Sequence, residues 1–370
     1  MLGQLPDYPW DAMVPHAKRA AEHPGGMVDL SIGSPVDETP ASIREALAAA
    51  TDAHAYPTTT GTPELRAAIV DWFARRRSVP GLTNAEVLPT VGSKELVAWL
   101  PFMLGLGEDD IVVHPNAAYP TYAMGAALAG AQAFAADSPA EWPAGTKLVW
   151  LNSPGNPDGR VLSVDELREA VAAARRIGAV IAGDECYAEL GWEGEWVENP
   201  TPCILDPRVV DDSREGVLSV YSLSKQSNLA GYRAAFVAGD ASIIARLTTI
   251  RKHAGMIPPA PVQAAMIAAL VDDEHVLAQK ERYRARRAVL KPALEAAGFR
   301  IDQSEAGLYL WATEGKDAWQ SIARLADAGI LAGPGTFYGD FYPEHVRFSL
   351  TASDERIADA AARLRSDFAQ

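Results

Sequence analysis

Lys225 is the residue best placed to do covalent chemistry. It stands in Ser222-Leu223-Ser224-Lys225, directly behind the apolar run 217–221. A lysine there, flanked by small hydroxyl residues and followed by Gly231 and Arg233, can be desolvated enough to lose its proton and attack a carbonyl, which is Schiff-base chemistry. A single lysine behind a strand is ordinarily a surface residue, so its neighbours decide. Ser222, Ser224, Gly231 and Arg233 offer hydroxyls and a guanidinium suited to a phosphate dianion, which Arg233 can grip through two N–H bonds. Capture of an aldehyde and binding of a phosphate at one strand end point to pyridoxal 5'-phosphate.

Ligands of an open parallel sheet bind beyond the carboxyl ends of its strands, so the residues after the other apolar runs matter next. Run 147–151 is followed by Asn152-Ser153-Pro154-Gly155-Asn156-Pro157-Asp158-Gly159, and run 179–182 by Gly183-Asp184-Glu185-Cys186-Tyr187. Asp184 reads as a helix cap or as a buried carboxylate, and Asn156-Pro157-Asp158-Gly159 is good turn chemistry by itself. Gly92-Ser93-Lys94-Glu95 follows 87–91 and opens the helical run 96–104. That places the backbone N–H groups of Ser93 and Lys94 where a helix N-terminus attracts phosphate, with Ser93 also serving as an ordinary N-cap. Tyr119 follows 111–113, Arg347 lies in the strand-like 345–350, and Gly33 sits in the turn-like Ser31-Ile32-Gly33-Ser34-Pro35.

The elements that must position these residues are legible as a pattern. Between about 42 and 265, short β-branched runs alternate with longer Ala-, Leu- and Arg-rich stretches, the signature of βα units feeding a mostly parallel sheet. Ser163 with Glu166 predicts a capping box for a helix over 165–177, closed by Gly178. Beyond about 272 come a long charged helix, 274–297, then mixed strands and helices, and an amphipathic helix over 354–368. The expected fold class is α/β: a large cofactor-binding domain over 42–272, and a smaller α/β domain made of 273–370 with the N-terminal segment 1–41. The formal charge is −15, which disfavours nucleic acid and anionic membranes as partners. Two cysteines, Cys186 and Cys203, are too few for a disulfide framework or a four-ligand zinc site, and no metal is expected. Met1 to Trp10 lacks the basic start and apolar run of a signal peptide, and no apolar stretch approaches the roughly 20 residues of a membrane span. A cytoplasmic protein is expected.

The segment Ser222-Leu223-Ser224-Lys225-Gln226-Ser227-Asn228-Leu229-Ala230-Gly231-Tyr232-Arg233-Ala234-Ala235 resembles the lysine-attachment signature of class I/II aminotransferases of the fold-type-I pyridoxal-phosphate enzymes. Further matches fall in the family's order at Tyr56, Gly92-Ser93-Lys94, Tyr119, Asn156-Pro157, Asp184-Glu185-Cys186-Tyr187 and Arg347. The resemblance implies Lys225 as the cofactor-bearing and proton-moving lysine, Asp184 facing the pyridine nitrogen, and Tyr187 and Asn156 bonding the phenolic oxygen. It implies Tyr119 stacked on the ring, with Ser93, Lys94, Ser222, Ser224 and Arg233 about the phosphate. Arg347 and Gly33 would hold the substrate α-carboxylate. Tyr56 would reach the phosphate of a neighbouring subunit, which makes a homodimer. Ser153 and Asp158 depart from the family's usual proline and threonine, so the shape of that loop is open.

Within the family, Gly92-Ser93-Lys94-Glu95, the lysine segment and Leu5-Pro6-Asp7-Tyr8-Pro9-Trp10 most resemble actinobacterial-type N-succinyldiaminopimelate aminotransferases of lysine biosynthesis. That implies glutamate as donor and N-succinyl-2-amino-6-ketopimelate as acceptor, with Arg251, Lys252 and His253 as candidates for its distal carboxylates. The alternatives are another keto acid, whether aromatic, prephenate or small aliphatic, and a carbon–sulfur β-lyase. An aminotransferase-like domain of a transcription regulator would need a basic helix-turn-helix that this sequence does not show. Borohydride reduction of the cofactor-loaded protein, followed by peptide mass spectrometry, is expected to find the adduct on Lys225; an adduct elsewhere would overturn the assignment.

Overall fold

The computed structural model describes residues 9–368, so Leu5 to Tyr8 of the N-terminal match lie outside the described residues. The strands in chain order are β1 (Val28–Asp29), β2 (Val87–Val91), β3 (Ile111–His114), β4 (Gln132–Ala135), β5 (Thr146–Asn152), β6 (Val180–Asp184) and β7 (Val217–Ser222). After them come β8 (Ala234–Gly239), β9 (Arg300–Asp302), β10 (Tyr309–Thr313), β11 (Ile330–Leu331), β12 (Gly333–Pro334) and β13 (His345–Ser349). Seven form one sheet in the order β2-β8-β7-β6-β5-β3-β4, parallel except for β8, which runs antiparallel to β2 and β7. A four-stranded antiparallel sheet, β12-β13-β10-β9, and the short pair β1-β11 complete the set.

Central strands of a sheet covered on both faces must be apolar along their whole length. Every residue of β7 and β8 is accordingly buried. On one face Phe236 of β8 clusters with Trp72 and Phe73, and on the other Trp150 of β5 clusters with Leu96 and Tyr122. A separate cluster, including Leu310, Trp311, Phe348 and Leu364, fills the space around the smaller sheet.

The crossover helix Val164–Ile177 carries the predicted capping box, Ser163 with Glu166, and Gly178 closes it in the left-handed conformation. The helix after β2 differs from expectation. It spans Ser93–Met103, so the N-cap is Gly92 rather than Ser93, and no side chain caps it. Gly92 has φ +79, a turn that only glycine adopts cheaply, and this brings the helix start three residues nearer the strand. Its first-turn N–H groups are therefore not consumed by a side-chain cap. The long helix spans Glu274–Ala296 and the last helix Asp354–Asp367. Among the described residues no helix is long and apolar enough to cross a membrane.

Buried ion pairs lock the sheet edge that bears the polar residues. Arg77, at the end of the helix Pro63–Arg76, donates to Glu185 at 3.0 Å and to the Thr201 carbonyl at 2.7 Å, while Glu185 also accepts from the Ile204 N–H at 2.7 Å. Removing one member of such a pair strands the other charge in the interior. Arg77→Met is expected to cost about 3–5 kcal/mol in urea unfolding. Arg168→Met, which breaks an exposed pair with Asp165, should stay within about 0.5 kcal/mol. Equal losses in the two variants would refute the role given to the buried pair.

Candidate active site

The carboxyl ends of β5, β6 and β7 and the start of the helix Ser93–Met103 border one cavity of about 580 Å³. Lys225 lies on the short helix Leu223–Gln226, whose N-cap Ser222 accepts from the Ser224 N–H at 3.2 Å and donates to the Ser224 hydroxyl at 2.9 Å. Its amine donates to the Gly33 carbonyl. Burial pushes the Lys225 amine below the ordinary lysine range; Arg347 and Arg233 act the same way, and Tyr309 and Cys186 oppose them. The neutral, nucleophilic form is thereby favoured.

Asp184 ends β6 with its carboxylate buried. It accepts from the Tyr122 hydroxyl at 2.9 Å and from the Cys186 N–H at 3.3 Å, and forms no ion pair with a described residue. Burial pushes its pKa up, and those bonds pull it down. Asn152 and Ser153 grip the same strand end through the Asp184 carbonyl, at 2.9 and 3.2 Å. Tyr122 is itself held by stacking on Trp150, with ring centroids 5.1 Å apart.

The smaller sheet supplies the other wall. Arg347 of β13 is buried, donates to the Asn156 side-chain oxygen at 2.8 Å and the Ser31 carbonyl at 2.6 Å, and leaves its Nε without a protein acceptor. Its guanidinium carbon lies 3.9 Å from the Tyr309 ring centroid and 4.8 Å from that of Tyr338. The Tyr187 hydroxyl is 3.2 Å from that of Tyr309. Burial pushes Tyr187 up, whereas at Tyr309 the charges of Arg347 and Lys225 outweigh burial and hold the phenol below its usual range. Tyr119, half-buried, is pushed up to about 12 by burial.

The structure thus brings Gly33, Ser93, Lys94, Tyr119, Asn156, Asp184, Tyr187, Ser222, Ser224, Lys225, Arg233 and Arg347 to one cavity. Tyr56 is not among its lining residues and is fully exposed. The distal-carboxylate candidates need correction. Arg251 is fully buried and gives both bonds of one nitrogen to Glu95, at 2.9 and 3.1 Å. Lys252 and His253 are exposed on the helix Ala241–Ala254, away from the cavity. The two departures in the loop brace it: Ser153 accepts from the Leu162 N–H at 2.9 Å, and Asp158 from the Arg160 N–H at 3.2 Å, with burial pushing Asp158 up to about 6. Sequence reasoning missed Tyr122 and Tyr309. Tyr122 opens the helix Thr121–Ala129 just after Tyr119 and carried no separate signal; Tyr309 becomes visible only through the β10–β13 pairing.

These residues fit pyridoxal 5'-phosphate. At Gly92 a Cβ would come 2.1 Å from Arg233 Nη2, so only glycine lets the guanidinium lie across the helix start. Guanidinium, two serine hydroxyls and a helix N-terminus make a phosphate site, the buried Asp184 suits a protonated pyridine nitrogen, and a desolvated lysine suits an aldehyde.

A mostly parallel sheet with this set at its strand ends defines a pyridoxal-phosphate-dependent transaminase. The family model for aminotransferases of class I and II matches residues 25–364, and the chain belongs to that family, whose members use this cofactor. It is 56% identical to the 4-dedimethylamino-4-oxo-anhydrotetracycline transaminase OxyQ of Streptomyces rimosus, over 98% of this chain and 100% of that one. It is 54% identical to a probable aminotransferase of Mycobacterium tuberculosis, over 97% and 85%. A solved structure described as a probable N-succinyldiaminopimelate aminotransferase from Thermus thermophilus superposes with a TM-score of 0.87 at 28% identity, over 97% and 100%.

A buried amine deprotonates at lower pH than a free one, and only the neutral amine captures an aldehyde. Uptake of pyridoxal phosphate by the cofactor-free protein, followed by visible absorbance, should therefore reach its midpoint below the ordinary lysine range. Arg347→Gln removes a charge that opposes protonation and should move that midpoint upward; no displacement, or a midpoint like that of free lysine, would count against the assignment.

Proposed function

We propose that the enzyme takes the amino group from glutamate and delivers it to a long keto acid, N-succinyl-2-amino-6-ketopimelate, on a route to diaminopimelate and lysine. The observation that carries the reading is the convergence of a desolvated lysine, a buried carboxylate and a guanidinium fork on one cavity. Its volume, about 580 Å³, lies within the range of small-molecule and cofactor pockets. The likeness to the Thermus thermophilus structure supports the acceptor.

When bound, the cofactor supplies an electron sink for the substrate α-carbon. Arg347, with Asn156 and the Gly33 turn, holds the α-carboxylate; Lys225 as neutral amine takes the α-proton and, as ammonium, gives it back. Asp184 would hold the pyridine nitrogen in its protonated form, and Tyr187 would offer its hydroxyl to the phenolic oxygen. A second copy of the chain, bringing its Tyr56 to the phosphate end, completes the site, and the division at 42–272 separates the body that carries Lys225 from the one that carries Arg347.

A second reading has its own support. Trp10, Ile32, Met124 and Leu128 give the cavity an apolar flank, and the relative with 56% identity is named for a fused-ring ketone, so a bulky aromatic acceptor suits the same walls.

Glutamate alone should bleach the bound cofactor's visible band and release one equivalent of 2-oxoglutarate per site. Among acceptors, the succinylated keto acid should restore the band at least about tenfold faster than phenylpyruvate. The reverse order would favour the second reading, and pyruvate with sulfide from cystathionine, without any acceptor, would make the enzyme a lyase. A monomer in sedimentation equilibrium would remove Tyr56 from the site.

A further inference from the structure

Positions 275, 279 and 286 of the long helix Glu274–Ala296 recur near the helical period and so share one face. That face is polar and grips two stretches of chain. The Ser227 hydroxyl lies 2.7 Å from His275 Nε2, and Asn228 Nδ2 donates to Gln279 Oε1 at 2.9 Å. Gln279 in turn donates through Nε2 to Asp37 at 2.8 Å. Arg286 forks onto the same Asp37 carboxylate at 2.6 and 2.8 Å, and its Nε reaches Asp354 at 2.6 Å. Gln279 and Arg286 are buried, and neither is among the residues that line the cavity.

The two stretches meet at the cavity. Ser227 and Asn228 follow Lys225, and Asp37 follows Gly33 on the irregular segment 31–39; between them the Lys225 amine donates to the Gly33 carbonyl. One end of the segment is tied to the sheet that bears Arg347, through the Ser31 carbonyl to Arg347 at 2.6 Å and the Ile32 carbonyl to the Thr351 hydroxyl at 3.0 Å. Its other end is tied to the lysine loop, where Asn228 Nδ2 also donates to the Glu38 carbonyl at 3.2 Å and the Thr39 hydroxyl to the Asn228 carbonyl at 3.1 Å. Burial pushes the Asp37 carboxyl up, but the bonds from Arg286 and Gln279 outweigh it and hold the group below its ordinary range. Asp37 is therefore an acceptor only, and the Gln279 amide has one orientation open to it, NH₂ to Asp37 and carbonyl to Asn228.

We propose that Gln279 is a positioning residue for proton transfer: bonded to Asp37 on one side and Asn228 on the other, its amide fixes the Lys225 amine relative to the segment 31–39 and so relative to Arg347. The inference rests on the aminotransferase reading above for the step that Lys225 performs. Transfer of a proton depends steeply on placement, and a shift of about 1 Å can cost on the order of 10²-fold in rate. Loss of the bridge lets the lysine loop and the segment shift against each other, while the substrate α-carboxylate stays with Arg347, which Gln279 does not touch. Rate therefore falls more than binding.

Single-turnover bleaching of the loaded enzyme by saturating glutamate separates placement from folding, because a misplaced base lowers the rate at full amplitude and a defective fold lowers the amplitude. Gln279→Met, which removes both bonds at similar length, should slow bleaching about tenfold at full amplitude, and α-deuterated glutamate should slow it further. Gln279→Glu, which sets a second carboxylate against Asp37, should be at least as slow. Adding Asp37→Asn to Gln279→Glu exchanges acid and amide across the bridge, keeps the total charge, and should recover most of the rate. In the cofactor-free protein, backbone hydrogen exchange over 31–39 should quicken in Gln279→Met while the helix Val164–Ile177 is unchanged. An unchanged rate, a loss of amplitude alone, no sensitivity to deuterium, unchanged exchange over 31–39, or a double variant as slow as Gln279→Glu would each overturn the role. Should glutamate leave the band of the unaltered enzyme untouched, the aminotransferase reading itself fails, and the exchange experiment still decides whether the bridge holds the segment.

Discussion

An interior carboxylate surrounded only by neutral donors is the constraint on which the rest of this structure depends. Asp184 has the Tyr122 hydroxyl and the Cys186 N–H, and no cation of the fold within ion-pair reach among the described residues. Leaving a carboxylate so placed costs several kcal/mol unless a positive group comes to it. A protonated ring nitrogen would be such a group, and the strand ends around the carboxylate are firmly held. The ends of β5 and β6 are cross-linked through the Asp184 carbonyl, Tyr122 is pinned by Trp150, and the adjacent Glu185 is spent on Arg77. Glu185 thus carries the structural load, and Asp184 is left without a cation among the described residues.

The Arg347 guanidinium comes from the opposite direction. Arg347 lies in the antiparallel sheet, yet its planar donors reach Asn156 on the loop after β5, so one hydrogen bond joins the two sheets across the cavity. Tyr309 and Tyr338 offer ring faces to the guanidinium, which holds it in orientation without neutralising it. An arginine held by carbonyls and rings keeps its full charge for an incoming acid; one paired to a carboxylate would have to exchange partners first. One side chain thus both ties the two sheets together and presents an unpartnered Nε–H.

Much of this was readable beforehand because a parallel sheet turns chain order into spatial order. Residues directly after apolar runs, Asp184 after β6 and Lys225 after β7, had to collect at one edge whatever the detailed packing. What failed were judgements that need a distant partner. Arg251 looked like a free cation in the run Arg251-Lys252-His253, and its burial is dictated by Glu95, 156 residues away. Ser93 looked like a cap because serine usually is one, but the backbone of Gly92 places the helix start under Arg233. Tyr309 carried no local signal; it matters because antiparallel pairing sets β10 beside the strand that bears Arg347.

Charge explains why the cavity matters more than the surface for an anionic substrate. The chain carries a formal charge of −15, so at long range it repels dicarboxylates. That repulsion between exposed charges fades over about 10 Å at 0.1 M salt, whereas the fields inside a low-dielectric cleft are screened far less. Lys94, Arg233 and Arg347 against one acid, Asp184, reverse the sign inside the cavity. An acid that reaches the mouth passes from a weak, screened repulsion into a stronger local attraction.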